Sequence, residues 1–433
     1  MHTGPQTERP LPSGDTSGIP PRSAIWAVIL ITALFFFWGM ANNLNDILIP
    51  QFKKAFALSD FDSGFVQSFF YVGYFLFALP AGFFIRRFGY KAAVVAGLLL
   101  FSAGALMFYP ASQAAEYRWF LGALFVIASG LAFLETSANP LITLLGDPKR
   151  AAFRLNLAQS FNPLGSLFGV FIGQTFILSG KTASPEFLAS LSAEGQRAFY
   201  LAETRAVQMP YLLIGLAILA WAVLVAFSRF PAVVSHAAAR DEDDKISAGQ
   251  AIAGLFRKPH FLMGVVAQFF YVGAQVGLWS YTIRYAQAEI GITDKAAATY
   301  VLISLGLFWA GRVIGTMLMN WIAPARLLTV FAVINVGLVA VAASVGGHTG
   351  LYCLVAASAF MSIMFPTIFA TSIEGLGPLA KTGSSLLVMS VVGGAALTAI
   401  MGKVSDLSQI KTAIFVPAAC FVVIALYSLM RRK

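Results

Sequence analysis

The sequence predicts an all-α membrane protein of twelve transmembrane helices, arranged as two pseudo-symmetric halves of six. Three observations predict it. Of 433 residues, 58% are hydrophobic and only 11% charged, and mean hydropathy is +0.77. That is too apolar for a soluble globular chain. Apolar windows of about 20 residues, the length that crosses a bilayer as a helix, recur along the whole sequence. The third observation is a faint internal repeat at a constant displacement of 229 residues. Ala81-Gly82 falls on Ala310-Gly311, Ala128-Ser129 on Ala357-Ser358, Gly165 on Gly394, and Gly173 on Gly402. Two same-orientation six-helix repeats imply a pseudo-twofold along the membrane normal, with any ligand site near the midplane between halves.

Taken in order, residues 1–23 are rich in Pro, Gly, Ser and Thr, and read as a disordered tail without the layout of a signal peptide. The expected helices run over 24–51, 61–86, 91–110, 117–145, 151–178 and 206–228 in the first half. Those of the second half run over 259–287, 296–320, 325–345, 350–373, 382–403 and 412–430. The domains are thus a tail (1–23), an N-terminal six-helix bundle (24–228), a linker (229–258) and a C-terminal six-helix bundle (259–433). Segment 180–205 mixes charges and reads as a solvated cap. The linker carries the acidic run Asp241-Glu242-Asp243-Asp244.

With the tail placed inside, 19 of the 29 basic residues fall on the cytoplasmic side. Arg86, Arg87 and Lys91 crowd one inner turn, and Lys149, Arg150 and Arg154 another. This positive-inside bias predicts cytoplasmic termini, and the expected location is a bacterial-type inner (plasma) membrane. The net charge of +10 therefore orients the chain and implies no nucleic-acid partner. Cys353 and Cys420 lie in apolar windows, which suggests neither a disulfide framework nor a metal site. No cofactor is expected. Only four histidines occur (His2, His236, His260 and His348), and no nucleophile–base or metal-ligand constellation forms around them, so an enzyme is not expected.

The polar residues inside the expected spans carry the functional reading. The stretch from Phe35 to Pro50 holds three asparagines and an aspartate, Asn42, Asn43, Asn45 and Asp46, within one crossing window. An intramembrane carboxylate costs about 2.5–3.5 kcal/mol on insertion scales, so it normally faces a protein cavity. At 3.6 residues per turn Gly39, Asn43, Asp46 and Pro50 share one face, with Trp38, Asn42 and Asn45 beside it. A helix that merely ends at Asn42 is the plainer reading, but apolar residues resume through Ile49.

Helix four holds Glu135 and, one turn on, Asn139. Helix five carries Asn156, Gln159, Asn162 and Ser166 at helical spacing. Helix seven carries Gln268, Tyr271, Gln275 and Thr282, with Trp279 adjoining. Single amides also join membrane helices structurally, for about 0.6 kcal/mol each. Three facing stripes and two carboxylates fit a wet cavity better.

Amides both donate and accept, which suits a neutral polyhydroxylated ligand, and aromatic faces such as Trp38, Tyr271, Trp279 or Trp309 suit a sugar's C–H surface. An anionic ligand would call for a cavity cation. Arg312 is the chief candidate, and its setting one helix before an inner turn reads as a gating or turn contact. Asp46 and Glu135, taken out of water, can load and release protons. Their repeat equivalents, Gln275 and Met364, cannot titrate, which assigns proton coupling to the N-terminal half.

Four motifs resemble a known family. They are 41–48 (Ala-Asn-Asn-Leu-Asn-Asp-Ile-Leu), 134–140 around Glu135 and Asn139, 153–159 (Phe-Arg-Leu-Asn-Leu-Ala-Gln), and 271–275 (Tyr-Val-Gly-Ala-Gln). They are similar to the fucose–galactose–glucose–proton symporter family of the major facilitator superfamily, over residues from about Ala24 to the C-terminus. The resemblance implies uptake of a monosaccharide with a proton, Asp46 and Glu135 as the coupling pair, and Asn43, Gln159 and Asn162 lining the sugar cavity. Glu135 with Gln275 favours the fucose branch over the glucose/galactose branch.

Two departures stand out. The loop motif after helix two lacks its usual acid near Gly82, and Met364-Phe365-Pro366 replaces a Gln-Tyr pair before the proline of helix ten. The expected site is therefore Asp46 and Glu135 for coupling, with Asn42, Asn43, Asn139, Gln159, Asn162, Gln268, Tyr271, Gln275, Trp38 and Trp279 around the ligand. The expected partners are a monosaccharide, protons and the lipid bilayer, for a monomeric carrier of L-fucose or a close relative. A glucose, galactose or mannose symporter is the alternative, and a proton-driven drug exporter, with fewer cavity amides, the more distant one.

Overall fold

A computed structural model describes residues 22–56, 58, 62, 65–144, 147–177, 190–228 and 247–431. Most of the expected tail, the acidic run 241–244 and the side chain of Asp46 lie outside the described residues.

Among the described residues, ten helices are long and apolar enough to cross a membrane. One of these, Phe65–Ala114, is two spans. Gly89, at φ 82° and ψ 170°, breaks it where a side chain would be strained. We label the elements α1 (Arg22–Ala55), α2 (65–88), α3 (90–114) and α4 (Tyr117–Leu144). The fifth, α5, is broken into Ala151–Gln159 and Phe161–Ile172 and supplies the remaining span of the first half before α6 (Gln208–Phe227).

The second half comprises α7 (Pro259–Ile290), α8 (Asp294–Leu318), α9 (Pro324–Val345), α10 (Gly347–Met361 and Met364–Ile373), α11 (Ala380–Met389 and Gly393–Leu407) and α12 (Ile410–Ala413 and Phe415–Met430). Twelve spans result, with boundaries within a few residues of those expected. The breaks also repeat. Ser160 interrupts α5 and Ser390–Val392 interrupts α11, close to the 229-residue displacement.

Packing repeats too. α1 lies on α5 as α7 lies on α11, and α3 lies on α6 as α9 lies on α12. The halves meet where α2 packs on α11 and α5 on α8. Close approach in the α1–α5 pair rests on glycine. A Cβ at Gly39 would run into the backbone of Asn162, and one at Gly165 into the backbone of Phe36. Gly39 is thus spent on helix contact, not on the polar face expected for it.

Outward-facing side chains are apolar where water would disfavour them: Leu213, Leu216 and Leu224 on α6, and Val330 and Val333 on α9, are all exposed. Lipid is their natural solvent. Trp26 and Trp321 lie exposed at the end where α1 begins, here called the base, and Trp119 at the opposite end, the mouth. Amphipathic indoles at both levels match the aromatic belts of membrane proteins.

The solvated cap expected over 180–205 contains a helix, Ala193–Arg205, N-capped by Ser192. It docks on the mouth end of α1, where Gln51 Nε2 donates to Glu203 Oε2 at 2.9 Å and Glu203 O at 2.8 Å. In the expected linker, a second short helix, Ala248–Phe256, starts with a Ser247–Gln250 capping box.

Candidate functional site: a polar pocket between the halves

A cavity of about 230 Å³ lies between the halves. α1 lines it with Trp38, Asn42, Asn43 and Asn45, and α5 with Gln159, Asn162 and Ser166. α7 adds Gln275 and Trp279, α8 Phe308 and Arg312, and α10 Phe365. Seven of the residues expected around a ligand therefore converge: Trp38, Asn42, Asn43, Gln159, Asn162, Gln275 and Trp279.

Three do not reach the wall. Asn139, Gln268 and Tyr271 are fully buried behind it. Asn139 Oδ1 accepts from Gln159 Nε2 at 3.0 Å, which aims that amide, and Tyr271 donates to Met361 O at 3.0 Å. Asn156 faces the base, donating to Thr367 Oγ1 of the other half at 3.1 Å. Helical spacing put these residues on the inward side of their helices, but depth along the bundle separates wall from support.

Sequence reasoning missed a stripe on α2. Gln67, Phe70, Tyr71 and Tyr74 line the pocket at helical spacing. Gln67 Oε1 accepts from Asn45 Nδ2 at 3.1 Å. In a helix so rich in phenylalanine the two tyrosines read as packing. The spacing of Gln67, Tyr71 and Tyr74 was the available signal.

Each half brings one indole to the cavity. Trp38 packs against Phe365 with centroids 6.2 Å apart. Trp279 meets Phe308 edge-on at 5.0 Å while its Nε1 donates to Ser358 Oγ at 3.2 Å. Between them the pocket presents amides on α1, α5 and α7, and among the described residues it holds buried polar atoms without a hydrogen-bond partner, Asn45 Oδ1 and Asn162 Nδ2 among them. Such atoms cost about 1–3 kcal/mol each unless something bonds to them.

Glu135 is 2% exposed, lies behind the pocket wall, and neither carboxyl oxygen has a hydrogen-bond partner. It interacts electrostatically with Tyr74, which does reach the pocket. Asp46 sits in α1 one turn past Asn42 towards the mouth; the described residues leave its side chain out.

Arg312, expected as a gating or turn contact, is part of the pocket wall. It lines the pocket, is 3% exposed, and stacks its guanidinium over Phe308 at 4.5 Å. Its Nε donates to Ser362 O at 2.7 Å and its Nη1 to Gln159 O at 2.8 Å. The cation is thereby committed to backbone in both halves.

An all-helical pair of six-span repeats around one central polar pocket is the arrangement of a membrane carrier. The chain belongs to the Major Facilitator Superfamily, whose family model matches residues 29–399. Within it, the chain is 44% identical over 415 residues to the L-fucose-proton symporter of Escherichia coli strain K12, covering 95% of this chain and 94% of that one. It is 34% identical over 435 residues to the glucose/galactose transporter of Brucella abortus biovar 1 (strain 9-941), with 100% of each covered.

Among solved structures it matches the transporter FucP in the outward conformation with a TM-score of 0.88 at 43% identity, covering 95% of this chain and 100% of that one. The resemblance read from the four motifs is borne out. These relatives are transporters, and this chain is a member of a transporter family, not an enzyme.

Proposed function

We propose that the protein takes up a neutral monosaccharide together with a proton by alternating access. L-Fucose or a close relative is the substrate, the membrane is a bacterial-type inner membrane, and both termini are cytoplasmic. The observation that carries this reading is a titratable carboxyl, Glu135, buried without a partner behind an amide-lined pocket between two halves. A sugar hydroxyl leaving water needs a partner, and the pocket supplies donors and acceptors from α1, α2, α5 and α7.

Trp38 and Trp279 cover the apolar faces of the ring. Arg312 directs two of its three nitrogens to backbone carbonyls and not to a ligand. Asn42, Asn43, Gln159, Asn162 and Gln275 contact sugar directly, and Asn139 supports Gln159. Gln268 and Tyr271 hold the C-terminal wall. Asp46 and Glu135 carry the proton. The protein works as a monomer, within residues 24–228 and 259–433 joined by a linker.

Adding sugar to lightly buffered, de-energised cells that make the protein tests this. L-Fucose is expected to make the medium more alkaline as protons enter with it. A panel containing glucose, galactose and mannose separates the family branches. The second reading, a glucose/galactose carrier, is favoured by the 34% identity, over the whole chain, to the Brucella abortus glucose/galactose transporter. No alkalinisation with any monosaccharide would overturn the proposal.

A further inference from the structure

Arg312 sits at the base side of the pocket, and both carbonyls that hold it are free for the same reason. In an α-helix the oxygen of residue i accepts the N–H of residue i+4. Four residues after Gln159 stands Pro163, and four after Ser362 stands Pro366. Proline has no N–H to give, so each helix leaves one carbonyl without its ladder partner. Both helices break close by, at Ser160 in α5 and at 362–363 in α10. One freed carbonyl lies in the N-terminal half and the other in the C-terminal half, and one guanidinium takes both, at 2.8 and 2.7 Å.

A guanidinium suits this because its donors are fixed in one plane and reach the two carbonyls from different nitrogens, Nε and Nη1. Further towards the base, Asn156–Thr367 and Arg150 Nη2–Asn320 Oδ1 (2.7 Å) also join the halves. Those are surface or amide contacts with ordinary partners. The Arg312 contact is buried and touches the pocket itself.

We propose that Arg312 is the latch of the pocket's base, clasping the carbonyls that Pro163 and Pro366 leave free, and that the halves part there only when it lets go of Gln159 O. Opening then strands a buried cation and a buried carbonyl, so the closed base is the stable one until the pocket's contents change. Arg312 is a positioning residue: it acts through Gln159, whose side chain lines the pocket, and need not touch the sugar.

The test measures distance, not transport, so it stands apart from the symport reading and needs no sugar. In a background with Cys353 and Cys420 replaced by alanine, spin labels at Lys149→Cys and Trp321→Cys report the gap across the base in the full chain. The parent is expected to give one dominant short distance. Pro163→Ala restores an N–H that competes for Gln159 O, and should raise the population of longer distances about tenfold. Such a factor is typical for weakening one hydrogen bond to a charged group.

Arg312→Met should do the same or more, and adding Pro163→Ala to it should change nothing further. Pro366→Ala should follow Pro163→Ala. If Pro163→Ala left the distances at the parent values, or moved them equally with and without Arg312, the latch would be overturned. Because the proline variants keep the arginine and add a helix bond, they also cover the case in which Arg312→Met fails to fold.

Discussion

At the scale of single residues, the decisive feature is a carboxyl with nothing to bond to. Glu135 is buried with both oxygens unpartnered, while Tyr74, in electrostatic contact with it, reaches the pocket. Ionised, this group is an uncompensated charge behind the pocket wall. Protonated, it becomes a neutral O–H donor. If Glu135 carries the proton as proposed, sugar and proton bind better together than either alone, and the coupling is reciprocal.

Sugar affinity should accordingly be highest at low pH and fall as pH rises from 5 to 9, as read by calorimetry or tryptophan quenching. A tenfold change corresponds to about 1.4 kcal/mol of coupling. Glu135→Gln, neutral at every pH, should bind with a flat profile. A variant that kept the parent's slope would remove Glu135 from the coupling.

At this same scale the sequence was informative about amides and poor about aromatics. An asparagine inside an apolar window announces itself, because burying it is costly. A tyrosine among phenylalanines does not, and the α2 stripe with Tyr71 and Tyr74 went unread. Nor could spacing tell Gln159, on the wall, from Asn139, which holds it from behind.

At the scale of elements, two features position the pocket. One is the proline-linked break in α5, which presents Gln159 and Asn162 to the cavity on a helix that is no longer straight. The other is the glycine contact of α1 with α5. Since a Cβ at Gly165 would enter the backbone of Phe36, Gly165→Ala must push the two helices apart. Overpacking of this kind costs about 1–3 kcal/mol.

The displaced helices carry Trp38, Asn42 and Asn43 on one side and Asn162 and Ser166 on the other, so sugar affinity should fall along with thermal stability. Gly122→Ala on α4, where an added Cβ meets nothing within 4 Å, should leave both close to the parent. Paired melting curves and binding isotherms of the purified variants would show it. Equal behaviour of the two would mean that α1 and α5 have slack.

Element boundaries were legible because apolar windows and turn residues set them. The 229-residue repeat was legible from small residues that packing requires. What lay beyond the sequence was the role of Gly39: spacing put it on the polar face, and only the neighbouring helix shows that its missing side chain is used by α5.

At the scale of the whole molecule, transport against a gradient needs the two halves to exchange access only in allowed states of loading. The titratable groups assigned here, Asp46 and Glu135, belong to the first half. Their repeat partners, Gln275 in the pocket wall and Met364 buried behind it, can only bind or pack. On the proposed reading the proton is sensed on one side of the interface and closure across it. Asp46 sits in α1, one turn from the amides that line the pocket, and the proposed mechanism makes its charge state the one that sugar binding senses. Asp46→Asn fixes that state as neutral. A carrier locked in the proton-loaded form can still turn over with sugar bound, moving it in either direction, but it can no longer draw on the proton gradient. Cells with Asp46→Asn should therefore fail to accumulate L-fucose above the outside concentration. Proteoliposomes of the same variant should still exchange internal labelled sugar for external sugar at a measurable rate. Accumulation surviving in this variant would show that Asp46 does not couple, and loss of both activities would assign it to sugar binding or folding instead.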